Sequence, residues 1–418
     1  MSLSQYPGLI EKIRDQFAHV DYCPFQGPRI FFENAGGSLT LKSVVDTSTK
    51  FAAIPDNQGR DNPASHALME IINTAKSDMA ILMNAPSGQF FVGESGTELL
   101  FRMIRTACVN ADKGSKVLGS SLEHPATRSA ARRWAEIRGL TYVNVPHDNE
   151  TGTVTAQDYQ ALVTPDVTVA TILHTSPVTG MGVDVAGISK VIRAVAPDCL
   201  IIVDGIQHAA HGQMDLAAYN IDGYAISPYK MFSRHGYGLA WISDRFGSMP
   251  HDMLIDAPAT GWEFGTRDTG AYATLSDVVS YFEWLGGEVS EETDRRAKIV
   301  AAGKAIHAYE KKLTDAMING TGNLKGLRDM DHVTILGGAD NTEREGLVSI
   351  VVADIASPEV VTRLNELGIR THTRKADHYS GNILAPLGLP DCIRISLCHY
   401  NTEHEVAQLL AALSELSA

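Results

Sequence analysis

Between residues 88 and 243 seven short, almost unbroken apolar runs punctuate the chain: GQFFVG, KVLGS, TYVNV, VTVATILH, LIIVD, GYAIS and GLAWIS. Each is followed by turn-forming residues, and continuous hydrophobicity in place of alternation predicts strands covered on both faces. Stretches of helical period lie between them. In ELLFRMIRTACV, Leu100, Ile104 and Cys108 share one helical face with Met103 and Ala107, and AGISKVIRAVA repeats the pattern. Strand and helix in alternation predict an α/β fold with a mostly parallel, doubly wound seven-stranded sheet.

From about residue 286 the pattern changes. A long charged helix, EETDRRAKIVAAGKAIHAYEKKLTDAM, is followed by strands (HVTILG, GLVSIVVA, IRISL) with helices between them (SPEVVTRLNELG, TEHEVAQLLAALSEL). This predicts a smaller C-terminal α+β domain over 286–418. Residues 31–285 form the large domain in this reading, and residues 1–30 pack against the small one. No Pro/Gly/Ser linker, repeat or low-complexity tract separates them.

The composition of the 418 residues, 44% hydrophobic and 20% charged, is that of an ordinary globular protein. A formal net charge of −14 argues against nucleic acid or an anionic membrane as partner, because such binding draws on clustered Lys and Arg. The five cysteines, Cys23, Cys108, Cys199, Cys392 and Cys398, are odd in number, scattered and without a CxxC pair. Neither a disulfide framework nor a metal site is expected. The N-terminal MSLSQYPGLIEKIRDQFAHV lacks the layout of a signal peptide, and no run approaches the 18 or so apolar residues of a membrane-spanning helix. A cytoplasmic protein is the expectation.

In open α/β sheets ligands bind beyond the carboxyl ends of the strands. After GQFFVG comes the turn Glu94-Ser95-Gly96-Thr97-Glu98, which opens a helix and offers free N–H groups to an anion, or simply caps that helix. After KVLGSSL come Glu123 and His124. Asp204 ends the apolar run LIIVD, Gln207 follows, and Lys230 lies in ISPYKMF three residues after Ser227. A buried carboxylate and a buried amine at neighbouring strand ends are compatible with a plain ion pair. The whole set has a further chemical meaning. Pyridoxal phosphate requires an unprotonated lysine for its Schiff base, a carboxylate for its ring nitrogen, a phosphate cup at a helix start and a flat group over the ring. Lys230, Asp204, the Gly96–Thr97 turn and His124 match those four requirements.

The segments ENAGG, ESGTELL, LEHPATR, HTSPVTG, VDGIQHAAHGQMDL, ISPYKMF, EFGTRD and IRISLCHYNTEHEV resemble, in order, the motifs of the class V aminotransferase family, from about residue 30 to 410. That family includes cysteine desulfurases, selenocysteine lyases, isopenicillin N epimerase-like proteins and kynureninase. The resemblance implies a fold type I pyridoxal-phosphate enzyme, with the cofactor held by the large domain, and a homodimer with shared active sites. It implies that Lys230 forms the Schiff base and shuttles protons, Asp204 holds the pyridinium, Gln207 the phenolic oxygen, and His124 stacks on the ring. Gly96, Thr97 and Ser227 would hold the phosphate, joined by Thr266 of EFGTRD from the neighbouring subunit. Arg394 would clamp the substrate carboxylate, and Asn34 of ENAGG would line the substrate side. Alternation in CIRISL independently sends Arg394 and Ser396 to the face opposite Ile393, Ile395 and Leu397, and a guanidinium suits a bidentate carboxylate contact.

The chain also departs from the family. Where desulfurases carry a nucleophilic cysteine, RTHTRKADHYSGNILAPLGLPD has none, and Cys392 reads as a small core residue. Pro177 stands where the family's SN..G turn has asparagine, and Tyr229 precedes the lysine in place of the frequent histidine. His208 and His211 lack an evident third metal ligand. The charged loop with His372, Arg374, Lys375, His378 and Tyr379 precedes the clamp and is a candidate for substrate selection or a solvated surface; Arg60 and His66 are lesser candidates. The expected reaction is elimination at Cβ of a small amino acid, of sulfur, selenium or a related substituent, without an enzyme persulfide. Transamination, epimerisation and a non-catalytic scaffold are the alternatives. No G-x-G-x-x-G follows an early strand, which sets a dinucleotide fold aside.

Overall fold

The computed structural model describes residues 2–258 and 260–416. All seven apolar runs become strands of one sheet: β1 (Gln89–Gly93), β2 (Lys116–Ser120), β3 (Thr141–Val145), β4 (Val167–Leu173), β5 (Leu200–Asp204), β6 (Gly223–Ile226) and β7 (Gly238–Ile242). Their order is β1-β7-β6-β5-β4-β2-β3. The pairings from β6 across to β3 are parallel, and β7 alone runs antiparallel to its neighbours. Val117, Leu118, Ile201, Ile202 and Val203 expose no surface, which is why the interior strands read as unbroken apolar runs. The expectation of cover on both faces fails at β3. As an edge strand it leaves Thr141 and Asn144 exposed.

Helix α1 (Gly96–Asn110) buries Leu99, Leu100, Met103, Ile104, Ala107 and Cys108, the face its period predicts. Each large apolar side chain there contributes about 1.5–3 kcal/mol. Helix α2 (Pro125–Arg138) packs beside it and stops at Gly139, whose φ of 67° suits glycine. One long helix escapes a reading by periodicity. Helix α3 (Thr269–Val289) buries Ala271, Tyr272, Leu275, Val278, Val279 and Phe282 between α4 (Arg295–Asn319) and the helix Pro63–Leu82. Being apolar on nearly every side, it has no polar face to mark its period.

The C-terminal sheet is antiparallel, with β8 (Val333–Ile335), β9 (Leu347–Val352), β10 (His372–Lys375) and β11 (Asp391–Ser396) in the order β8-β9-β11-β10. Strand β10 corrects the reading of 370–391 as loop. Its residues HTRK pair with β11 at the sheet edge, where polar side chains give no apolar signal. Near the N-terminus Ile30–Phe31 pairs in parallel with Ile369–Arg370. Among the described residues no helix is long and apolar enough to cross a membrane.

Candidate active site

A cleft of about 380 Å³ opens beyond the carboxyl ends of the parallel strands. The turn from β1 into α1 places Thr97 in its wall. Ser95 caps α1 by accepting a 3.1 Å hydrogen bond from Glu98 N–H, so the first amides of the helix have no helical partner. A Cβ on Gly96 would lie 2.5 Å from Ser227 Oγ and 2.6 Å from Ile206, and one on Gly238 in β7 would lie 2.5 Å from Gly96 N. Glycine at both positions lets three backbone segments converge under this corner.

After β2, His124 caps α2, its Nδ1 accepting from Ala126 N–H at 3.2 Å. Asp204 closes β5 with 2% exposure; its carboxylate accepts from Ile206 N–H at 3.1 Å and Thr127 Oγ1 at 3.2 Å. Lys230 ends the short turn Pro228–Lys230 after β6, and its Nζ donates to Gln207 Oε1 at 3.2 Å. The ion-pair alternative is thereby corrected. Among the described residues Lys230 makes no ion pair with Asp204 or any other carboxylate.

Burial, together with Arg394 and Arg374, pushes the Lys230 amine down to about 7, against the opposing pull of Asp204. Burial raises the Asp204 carboxyl, while its backbone hydrogen bond and Lys230 pull it back. Burial and then the Lys230 charge drive the His124 ring down to about 3, so it is a neutral, flat group at ordinary pH. The amine is neutral above about pH 7 and charged below it, so capture of pyridoxal phosphate by apoprotein is expected to quicken as pH rises through 7 and level off above. Stopped-flow absorbance measures this, and a midpoint near the ordinary lysine value of 10.5 would contradict the site as described.

These residues fit pyridoxal phosphate. The depressed amine suits an aldehyde, and Asp204 is a buried carboxylate with no cation bonded to it among the described residues. Thr97 and Ser227 line the cleft, and their hydroxyls make no hydrogen bond among the described residues, beside the open amides of α1. Leu173 and Pro177 supply apolar wall.

Arg394 is 3% exposed, its Nη1 donating to Pro177 O at 3.1 Å and its Nε unpartnered. Burial and the nearby Arg374 push its guanidinium down to about 9. Asn34 is placed near it, but the Asn34 amide is taken up by Phe31 O at 3.1 Å, Ser396 O at 2.9 Å and the Tyr400 hydroxyl. It holds ENAGG against β11 and is not a free donor. His372 on β10 faces Glu33 at 3.4 Å, and exposed His378 rests against Tyr379, with ring centroids 4.1 Å apart. Thr266 lines a separate cleft with Gln58 and Asp268, outside the lining around Lys230. His66 is exposed, 3.9 Å from Asp61, while Arg60 donates its backbone N–H to Ser65 Oγ at 2.7 Å.

Beneath the cleft lies a buried polar chain that sequence reasoning misses. Gln207 Nε2 is 3.4 Å from His211 Nε2, and His211 Nδ1 is 2.8 Å from Glu310 Oε2 on α4. Burial alone would lower the His211 ring, but Glu310 outweighs it and raises the ring above its ordinary value. Cys398 joins them, the three ligand atoms lying within 4.8 Å of one another, so the fold does supply neighbours that the sequence hides. The direct His211–Glu310 bond occupies Glu310 Oε2, while Glu310 Oε1 is buried without a hydrogen-bond partner among the described residues. His208 is likewise matched to Glu345 at 3.0 Å and stacks on His174, centroids 3.5 Å apart. Partners this far away in sequence leave no local signal.

A family model described as aminotransferase class-V matches residues 30–409. Among curated proteins, a nonribosomal peptide synthetase-like enzyme of Aspergillus fumigatus is 23% identical over 92% of this chain; the chain spans about a quarter (25%) of that longer protein. A probable cysteine desulfurase of Xylella fastidiosa is 25% identical, with 96% of this chain and 94% of the relative covered. Among solved structures, the apo cysteine desulfurase of Thermococcus onnurineus superposes with a TM-score of 0.82 at 20% identity, covering 100% of this chain and 99% of that one.

Proposed function

The chain belongs to the class V aminotransferase family of pyridoxal-phosphate-dependent enzymes, and from that premise we propose that it eliminates a Cβ substituent, sulfur or a related leaving group, from a small amino acid without an enzyme persulfide. The observation carrying this reading is that, among the described residues, no cysteine lines the cleft, while the chain is similar along its length to a probable cysteine desulfurase. Cys392, the cysteine nearest the clamp in sequence, is fully buried, and burial pushes its thiol up to about 11, far from the thiolate that a sulfur acceptor needs.

Bound pyridoxal phosphate supplies an electron sink that makes the substrate's Cα acidic. The Lys230 amine, neutral above about pH 7, would hold the cofactor covalently and is the base that would take the substrate's Cα proton onto Nζ. The electron pair left at Cα forms the Cα–Cβ double bond as the Cβ substituent departs with its own pair. Asp204 keeps a negative charge where the ring nitrogen carries its proton, and Gln207 keeps Lys230 in line through the 3.2 Å hydrogen bond. Arg394 fixes the substrate carboxylate, and His124 excludes water from one face of the ring.

A dimer completes the site in this reading, with Thr266 lent to the partner's phosphate cup. The exposed apolar run Met253, Leu254 and Ile255, at 40%, 68% and 94%, lies in the same connecting segment, about a dozen residues upstream, and supports a covered face there. The test is holoenzyme mixed with cysteine and its S-conjugates. Pyruvate, ammonia and sulfide or thiol are expected in equal amounts. A keto acid formed without ammonia selects transamination, and loss of optical activity alone selects epimerisation.

A further inference from the structure

We propose that the substrate carries a second anionic group at the end of its side chain, and that Arg374 is the residue that receives it. The proposal rests on the reading of this cleft as an amino-acid site and adds the charge class of what enters it. Strand register carries the first step. On paired antiparallel strands, residues directly opposite share a face. His372 lies opposite Arg394 and Arg374 opposite Cys392, so Arg374 projects from the same face as Arg394 at its diagonal position. Such diagonal neighbours are roughly 7–8 Å apart at the backbone, a span that a short amino acid with an acid at each end bridges.

Charge carries the second step. Four cationic or titratable groups crowd this wall: Arg370, His372, Arg374 and Arg394. Glu33 serves the first two, at 2.7 Å from Arg370 Nε and 3.4 Å from His372 Nδ1. Arg374 is half-buried, and its Nε donates to the Ser380 hydroxyl at 2.8 Å. Among the described residues it makes no ion pair; the acid whose charge acts on it is exposed Asp377. One unpaired guanidinium answers the α-carboxylate. The second is a surplus that a monocarboxylic amino acid would leave unmatched.

Position carries the third. The Arg374 guanidinium rests over the Tyr379 ring at 5.7 Å, and that ring stands 6.1 Å from the His124 ring in the cleft wall. The positive charge of Arg374 is felt at His124 and Lys230, which line the cleft, and at Arg394. An anion arriving between them relieves that crowding. A neutral side chain does not.

Isosteric pairs differing only in charge test this: L-aspartate against L-asparagine, and S-carboxymethyl-L-cysteine against S-carbamoylmethyl-L-cysteine. Dissociation constants are read from the near-visible absorbance of holoenzyme during titration. The acids are expected to bind about 10- to 100-fold more tightly than their amides, the range of one charge-assisted hydrogen-bonded contact. In Arg374→Gln that preference should vanish while affinity for the amides stays within about twofold, and Arg374→Lys should restore part of it. A merely structural arginine would weaken both members of each pair together. Equal affinities in the wild type, a preference surviving in Arg374→Gln, or no absorbance change with any acid overturns the proposal. An acid preference without elimination products removes the lyase assignment and leaves this subsite standing. Elimination from neutral conjugates without an acid preference does the reverse.

Discussion

In Lys230→Ala the near-visible absorbance that borohydride fixes to the wild-type chain is expected to vanish, and turnover to fall by on the order of 10³-fold or more. Two functions are lost with one amine. The site loses the group that binds the cofactor covalently and the base that moves the Cα proton, each a step worth on the order of 10²–10⁴-fold in rate. The fold itself should survive, because Lys230 makes one 3.2 Å hydrogen bond to Gln207 and no ion pair among the described residues. Removing an amine that burial has already pushed down to about 7 relieves a desolvation cost, so the melting temperature of the apoprotein should hold or rise. Peptide mapping after borohydride reduction of wild type should place the added mass on Lys230. A variant that keeps both the fixed absorbance and the turnover would remove the basis of the proposed function.

Asp204→Asn should separate the two roles that Lys230→Ala removes together. The amide keeps the shape of the carboxylate: its oxygen can still accept from Ile206 N–H while its NH2 donates to the Thr127 hydroxyl, which turns to accept, so the cofactor should still bind and still be fixed by borohydride. What disappears is the buried negative charge that holds the ring nitrogen protonated, and kcat is expected to fall by about 10²–10³-fold, the usual scale for removing one preorganised electrostatic partner. A second readout follows from sign alone. Asp204 raises the Lys230 amine against the burial that lowers it, so without the charge the amine should titrate below 7. The pH profile of cofactor capture should then move to lower pH. Its staying in place would mean that Asp204 does not act on Lys230.

The large sheet and the centre of the site were legible in the sequence for one reason. A strand buried on both faces is a run of apolar residues, and a charge at its end, as in LIIVD, stands out against it. Lys230 and Asp204 were visible as costs that demanded a chemical account. Their detail was less visible. The sequence left a direct pair between them open as an alternative; the fold instead turns Gln207, three residues after Asp204, toward the amine. Strand β10 was hidden because an edge strand of His, Thr, Arg and Lys has no apolar pattern, and α3 because its apolar pattern has no polar face. Asn34 looked available by composition alone, yet its amide is consumed by backbone carbonyls of two other segments. His211 and Glu310, 99 residues apart, meet only once α4 is folded against the large sheet.

That last pairing bears on recombination between this chain and its relatives. A crossover anywhere between positions 211 and 310 inherits His211 from one parent and the residue at 310 from the other. If the incoming residue is apolar, a buried imidazole loses the carboxylate that raises it and Gln207 loses its backstop. Stranding one member of a buried pair costs about 3–5 kcal/mol, a large share of the stability of most domains. Chimeras that exchange the C-terminal portion should therefore carry the two positions as one heritable block, although nothing in the linear order of the chain ties them together.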